Sequence, residues 1–383
     1  MNPDPFSILG LASSEPEYSS NSTGVGGARH FLFKELASRY ELTEVFQPKP
    51  SGLTALASRI ATWVPNREIA QRTYKRHRWI FQEKSRACES YINALQSKPS
   101  LIFQWEFFFS PYASERITVP YVVYNDWTTR LSAREFPEWA LPRVRKHVDR
   151  LQGELMRRAA CVFTFSEKVR RSVIYDYGIP AEKVVTAFAG VNINHFPDPI
   201  RRPDRDRVTI LFGGNDYARK GLGTLLKAFR VLRAELPSVE LIVFGDPGPN
   251  YVALEEPRVR HLGHVSDKGK ISELYATADI FVLPTKTEAF GHVYAEAMAH
   301  SLPCIGTKVG AVNEVILEEE TGFLIESGDS VGLTERLRKL VTSREMRIGM
   351  GQQGYNRANK HFRWDKVVDV MTPYLHQAAA GRI

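Results

Sequence analysis

Cysteine is scarce in this chain: Cys88, Cys161 and Cys304 are the only three among 383 residues, and they stand far apart. That spacing argues against a disulfide framework or a cysteine-built zinc cluster, and it fits a reducing cytoplasm. No apolar run is long enough to span a bilayer. The apolar start from Pro5 to Leu11 is short and has no basic leader, so no signal peptide is expected. Low-complexity tracts and solenoid-length repeats are missing too. What remains is the composition of a globular protein, 43% hydrophobic and 25% charged, with length enough for two ordinary domains. Its net charge of +8 suits anionic partners, nucleotide sugars or acidic membrane surfaces alike, without choosing between them.

The stretch from Ala278 to Val315 carries the most chemical information. Asp279-Ile-Phe-Val-Leu283 is a short apolar run that reads as a buried strand, and Pro284 ends it. Thr285 to Glu288 is a polar loop. From Gly291 the pattern turns helical, with Val293, Ala297 and Met298 apolar, until Ser301-Leu-Pro303 stops it. A loop aimed at a helix N-terminus meets unpaired N–H groups and a partial positive charge, which suits a phosphate. Glu288 lies just before this helix and Glu296 within it. A carboxylate can accept from two neighbouring hydroxyls, as on a sugar or a ribose. The blander meaning, a capping carboxylate and a solvated one, fits an isolated pair. Phe290-Gly291 and the small-residue run Ala295-Glu-Ala-Met-Ala299 favour close approach by a ligand instead.

Glu288-AFGHVYA-Glu296 resembles the Glu-x7-Glu signature of family 4 retaining glycosyltransferases. The resemblance extends forward to Thr321-Gly-Phe-Leu324 and back through Phe244-Gly-Asp246 and Leu262-Gly-His-Val265, covering essentially the C-terminal half. Several motifs in the right order make a specific signal. The resemblance implies the α/β GT-B fold: two Rossmann-like doubly wound domains facing across a cleft, with a C-terminal helix crossing back to the first. It implies a donor-binding set of Gly26, Gly27, Gly214, Arg219, Lys220, His264, Val265, Glu288, Ala289, Phe290, Gly291, His292 and Glu296. Asp126, Arg219, Lys220 and Glu288 would be catalytic. It further implies retention at the anomeric carbon and no metal or other cofactor. Asp204-Arg-Asp206 has Asp-x-Asp spacing but lies in a stretch, Pro197 to Arg207, that reads as an interdomain linker.

In the N-terminal half, Phe6 to Gly10 reads as a first strand. The Ser- and Gly-rich Ser19 to His30 reads as a loop leading into a helix from about Ala28 to Arg39. A glycine-rich turn there can lay amides against a phosphate, or be a plain flexible loop. Leu53 to Leu95 is helical and basic, with Trp63, Trp79 and Phe81 among its cations. A solvated helix face is the commoner meaning of such a run, ahead of peripheral contact with an anionic membrane; nucleic acid is not expected. Ser100 to Glu106, Val119 to Asp126 and Ala160 to Ser166 read as strands, with Ser166 capping the helix that follows. Asn125-Asp126 stands where the family often has His-Asp. That leaves Asp126 as the polar candidate at a strand's C-terminal end, or as a cap for the turn before Trp127.

Beyond the linker, Val208 to Gly213 and Val239 to Gly245 read as buried strands. Arg219 and Lys220 precede a helix in a glycine-bounded turn, where cations can neutralise a diphosphate leaving group. The family places a lysine at Lys220 and usually an arginine where this chain has Asn215; Arg219 can stand in for it. His264 and Val265 are expected to meet the nucleotide base through their backbone. The expected domains are 1–196 for the acceptor, 197–361 for the donor, and 362–383 as the returning helix. The expected activity is transfer of a hexose from a nucleotide diphosphate sugar to a carbohydrate, lipid-linked or small-molecule acceptor by a cytoplasmic enzyme. A nucleotide-sugar epimerase and a non-catalytic sugar- or membrane-binding protein are the alternatives.

Overall fold

The computed structural model describes residues 4–13, 24–65, 67–137, 142–248 and 256–382. They form two compact units: residues 4–13, 29–188 and 367–382 make the first, and residues 24–28 and 189–366 the second.

Each unit is built on a six-stranded parallel sheet. In the first, β1 (Asp4–Leu11), β2 (Tyr40–Phe46), β3 (Leu101–Trp105), β4 (Tyr121–Asn125), β5 (Cys161–Thr164) and β6 (Val184–Thr186) lie in the order β2-β1-β3-β4-β5-β6. In the second, β7 (Val208–Gly213), β8 (Val239–Phe244), β9 (Val259–His261), β10 (Ile280–Val282), β11 (Cys304–Thr307) and β12 (Gly322–Ile325) lie in the order β12-β11-β10-β7-β8-β9. Parallel strands covered on both faces are near-continuous apolar runs, and β3, β4 and β7 are buried along their whole length. The strand order reverses between β1 and β3 in one sheet and between β7 and β10 in the other. Loops diverge at such a switch point and leave a crevice beyond the carboxyl ends of the strands.

α1 (Gly24–Arg39) begins in the second unit and belongs to the first from Arg29 on, and the first unit also carries α2 (Gly52–Ala61), α3 (Arg67–Lys75), α4 (Arg78–Ala94), α5 (Thr129–Glu135), α6 (Pro142–Arg158) and α7 (Glu167–Arg171). The second carries α8 (Leu222–Glu235), α9 (Lys268–Thr277), α10 (His292–Ala299), α11 (Val312–Val315), α12 (Ser330–Thr342) and α13 (Arg344–His361). α14 (Trp364–Ala379) starts in the second unit and belongs to the first from Val367 on. There Asp369 pairs with Arg39 at 2.7 Å, and the Tyr40 and Thr372 hydroxyls meet at 3.1 Å. The helix expected to return to the first domain does so.

Three local expectations change. α1 begins at Gly24, so Gly26 and Gly27 stand in its first turn and not in a loop ahead of it. A first helical turn leaves its N–H groups without intrahelical partners, which lowers the cost of glycine there. The expected loop from Ser19 lies mostly outside the described residues. β2 was not anticipated, because Tyr40-Glu-Leu-Thr-Glu-Val-Phe46 is half polar; as an edge strand it needs only one apolar face. The chain enters the second unit after Phe188, upstream of the Pro-rich stretch. Arg202 fastens that stretch to the unit by donating to the carbonyls of Tyr275, His300 and Ser301 at 2.8–3.1 Å, and to that of Ala278.

Candidate active site

The two loops that part at the β7/β10 switch point carry most of the candidate residues. After β7 the chain turns through Asn215 and Asp216, whose φ of 60° is left-handed. The Asp216 carboxylate accepts from the Arg219 amide and from its Nε, both at 3.2 Å. Arg219 then reaches the second loop, donating from Nη1 to the Thr287 carbonyl at 3.3 Å, while its own carbonyl accepts from the Lys286 amide at 2.8 Å. Gly221 closes the turn at φ 79° and caps α8; a Cβ there would stand 1.9 Å from the Pro284 carbonyl oxygen, so only glycine lets the loops lie this close. Gly214 lies in the same contact, between Lys220 and Leu283.

The result is an ion pair between residues 68 apart in sequence: Lys220 Nζ stands 2.5 Å from Glu288 Oε2. Oε1 of Glu288 accepts from the Ala289 amide at 3.2 Å. Burial would raise the Glu288 pKa, but the charge and hydrogen bond of Lys220, the charge of Arg219 and the Ala289 amide outweigh it, and the carboxyl titrates below its ordinary range. Glu288 is therefore an ionised acceptor at neutral pH. Its backbone is pinned by Gly310, at φ 57°, where a Cβ would be 1.8 Å from the Glu288 carbonyl oxygen. Next to it, Ala289 accepts from the Ala311 amide at 2.8 Å and Phe290 is buried.

Gly291, at φ 92°, starts α10, whose every residue but Val293 is buried. His292 is the first of them; burial, partly opposed by Glu288 and a Gly190 backbone bond, depresses its pKa to about 4, so the ring is neutral. Glu296 sits one helical turn further on, at the edge of a cavity of about 240 Å³ lined also by Asn192, His195, Lys268, Ser272 and Tyr275. Burial lifts its pKa to about 7, against the pull of Lys268, the Asn192 backbone and the Tyr275 hydroxyl. Burial likewise lowers Lys268, partly offset by Glu296. Lys268, Asn192 and Tyr275 were not read from the sequence as site residues. The signals available were Asp267, which caps α9 and so points Lys268 out of its first turn, and the Gly190-Val-Asn-Ile-Asn194 stretch.

His264 and Val265 follow β9 and Gly263, whose carbonyl accepts from the Gly245 amide at 2.8 Å. The His264 side chain is exposed. They thus stand at the same strand-end edge of the second sheet as Gly214, Lys220 and Glu288.

In the first unit Asp126 directly follows the carboxyl end of β4. Capping of the turn before Trp127 falls to its neighbour: the buried Asn125 side chain donates to the Trp127 carbonyl, and Thr128 caps α5 through the Leu131 amide. A second carboxylate was missed. Glu106 follows β3 with φ 73°, a strained value for a non-glycine residue, and accepts from the Ser13 hydroxyl just beyond β1, at this sheet's own switch point. Nothing local in Trp105-Glu-Phe signals that backbone; only the strand order does.

Residues 197–357 match the sequence family described as "Glycosyl transferases group 1". That stretch of the chain is similar to the group 1 glycosyltransferases. The chain is 28% identical over 185 residues to the capsular polysaccharide biosynthesis glycosyltransferase CapM of Staphylococcus aureus, covering 45% of this chain and 48% of that one. It is 34% identical over 156 residues to the N-acetyl-alpha-D-glucosaminyl L-malate synthase of Bacillus anthracis, covering 39% and 40%. It thus spans about half or less of the length of these relatives. Solved structures match almost end to end. Sucrose-phosphate synthase from Thermosynechococcus elongatus superposes with a TM-score of 0.71 at 16% identity, over 98% of this chain and 99% of that one. Anabaena HepE, in complex with UDP and glucose, gives 0.61 at 17% over 97% and 99%. At such identities the likeness is one of fold, and the fold is GT-B.

Proposed function

We propose that the chain transfers a glycosyl group, a hexose by our reading, from a nucleotide diphosphate sugar to an acceptor hydroxyl with retention at the anomeric carbon. The observation that carries this is the Lys220–Glu288 pair at the β7/β10 switch point, with Glu296 one turn into the helix that Gly291 begins. Lys220 and Arg219 face the leaving diphosphate, Glu288 accepts from hydroxyls of the sugar, and Glu296 accepts from the ribose. His292, being neutral, can donate one hydrogen bond without adding charge. As the bond from the anomeric carbon to the diphosphate oxygen breaks, negative charge grows on that oxygen, where fixed cations and amides stabilise it at no cost of reorganisation. The acceptor oxygen bonds to the same face of the anomeric carbon, and its proton passes to the departing phosphate. In this scheme side-chain cations supply the charge that a metal ion supplies elsewhere, so a chelator leaves the rate unchanged.

Two relatives name their substrates: one is a GDP-mannose-dependent phosphatidylinositol monomannoside mannosyltransferase of Mycobacterium tuberculosis, another a D-inositol 3-phosphate glycosyltransferase of Xylanimonas cellulosilytica. They make a hydroxyl of a lipid-linked or soluble polyol the first acceptor class to try. The deciding experiment screens nucleoside diphosphates by thermal shift, then incubates the corresponding sugar donors with acceptors. Stabilisation by one diphosphate and appearance of an α-linked product from an α-linked donor are expected. Epimerisation of the donor without acceptor, or no stabilisation by any nucleotide, would overturn the reading.

A further inference from the structure

The second helix of the first unit is turned inside out. α2 puts Leu53, Leu56, Ile60 and, just past its end, Trp63 at spacings of three, four and three residues, which is one face of a helix. That face points to solvent: the four side chains are 82%, 58%, 70% and 71% exposed. The buried residues on the inner side are small and polar, Ser58 and then Thr62, whose hydroxyl donates to the Ser58 carbonyl at 2.7 Å. A helix that serves only its own core carries the opposite pattern. Scattered exposed apolar residues need no explanation, but four on one stripe do.

The surroundings are basic. Residues 52–84 hold seven Lys or Arg and two Glu. Arg59 stands over the Tyr74 ring at 5.4 Å, Arg76 over Phe108 at 5.1 Å and Arg78 over the half-exposed Trp79 at 5.8 Å. Of the two acids, Glu83 is occupied by hydrogen bonds from Ser51 and Thr54 at the start of α2, which hold its pKa below the ordinary value against burial.

We propose that α2 docks the protein on an anionic lipid bilayer, lying in the interface with Leu53, Leu56, Ile60 and Trp63 among the acyl chains and the cations of α2–α4 over the headgroups. The charge argues for this occupant: two copies meeting through this face would bring like-charged patches together, whereas anionic headgroups complement them. No described helix is long and apolar enough to cross a membrane, so contact is peripheral. Binding to lipid through this surface needs neither donor nor acceptor.

The test is flotation of the full chain with vesicles of phosphatidylcholine alone or containing phosphatidylglycerol. We expect binding to the anionic vesicles at least about tenfold tighter than to neutral ones, and a loss of about tenfold or more in L53S/L56S/I60S and in R59Q/R78Q. Failure of the wild type to float with either, or unchanged flotation of the serine variant, overturns the proposal. So does a wild-type dimer that the serine variant makes monomeric without any flotation, which would assign the face to a second copy. Tryptophan quenching by lipids brominated in the acyl chain, compared between wild type and W63F, reads the contact without relying on the folding of the triple variant; equal quenching in the two counts against it.

Discussion

Glu288 and Glu296 are one helical segment apart and behave as opposites. Glu288 is held by a lysine from another loop and an amide, and stays ionised well below neutrality. Glu296 is deeper, its nearest cation is itself weakened by burial, and it titrates at about 7. The same side chain on the same strand–loop–helix unit therefore becomes a fixed charge in one place and a pH-sensitive acceptor in the other. Spacing sets the pair on one loop and helix, but the dielectric and the partner decide what each can do.

The comparison is broken most directly by removing the cation. Lys220→Ala should lower turnover by roughly 10²–10³-fold, a typical effect of deleting one group that meets developing charge, while nucleotide affinity changes little. Steady-state kinetics beside calorimetry would show it; a loss confined to KM would place Lys220 in ground-state binding.

Gly310→Ala tests whether Glu288 is held by its backbone. A side chain at this left-handed position, 1.8 Å from the Glu288 carbonyl oxygen, should destabilise the fold by about 3 kcal/mol. Thermal unfolding measures it, and an unchanged Tm would mean the loop is not pinned there.

The pH dependence of Glu296 sharpens the other half. Its folded pKa of about 7 lies above the ordinary 4.5, so the folded state holds the proton more tightly than the unfolded one. The resulting stabilisation is full below pH 4.5 and is lost as pH rises to about 7, in total about 3 kcal/mol from the shift. Glu296→Gln should remove that slope from the ligand-free protein's stability curve. In the wild type, nucleotide affinity should rise severalfold from pH 6 to pH 8 as the carboxylate forms, and the variant should show no such step. Glu288 has the reverse sign: its contribution is present above pH 4.5 and lost as pH falls through its depressed pKa.

The smallest effect belongs to Arg219, which shares its guanidinium with Asp216 and the Thr287 carbonyl. Arg219→Gln should cost about tenfold in kcat/KM, since under the proposed scheme a half-exposed cation adds less to the diphosphate than the more buried Lys220 does. A loss equal to that of Lys220→Ala would make it an equal partner and support its standing in for the arginine that Asn215 replaces.

Much of the second unit was legible in the sequence because its signals are local. β7 runs over its apolar run, Val208–Gly213, and α10 follows Gly291 and stops before Ser301 as its pattern marks. The first unit was less so. α1 starts four residues early because glycine in a first turn is cheap, and β2 hides behind polar alternation. Glu106, at its left-handed φ, meets a serine 93 residues away.

From the sequence alone came the alternation of strands and helices, the basic character of Leu53 to Leu95, and the presence of Glu288, Glu296, Arg219 and Lys220 at loop and helix starts, because periodicity and turn chemistry act over a few residues. Tertiary structure alone decided that Lys220 neutralises Glu288, that Glu296 is buried beside Tyr275, and that the apolar stripe of α2 faces outward. Charge pairing and burial depend on which distant segments the sheets bring together, and no local pattern records that.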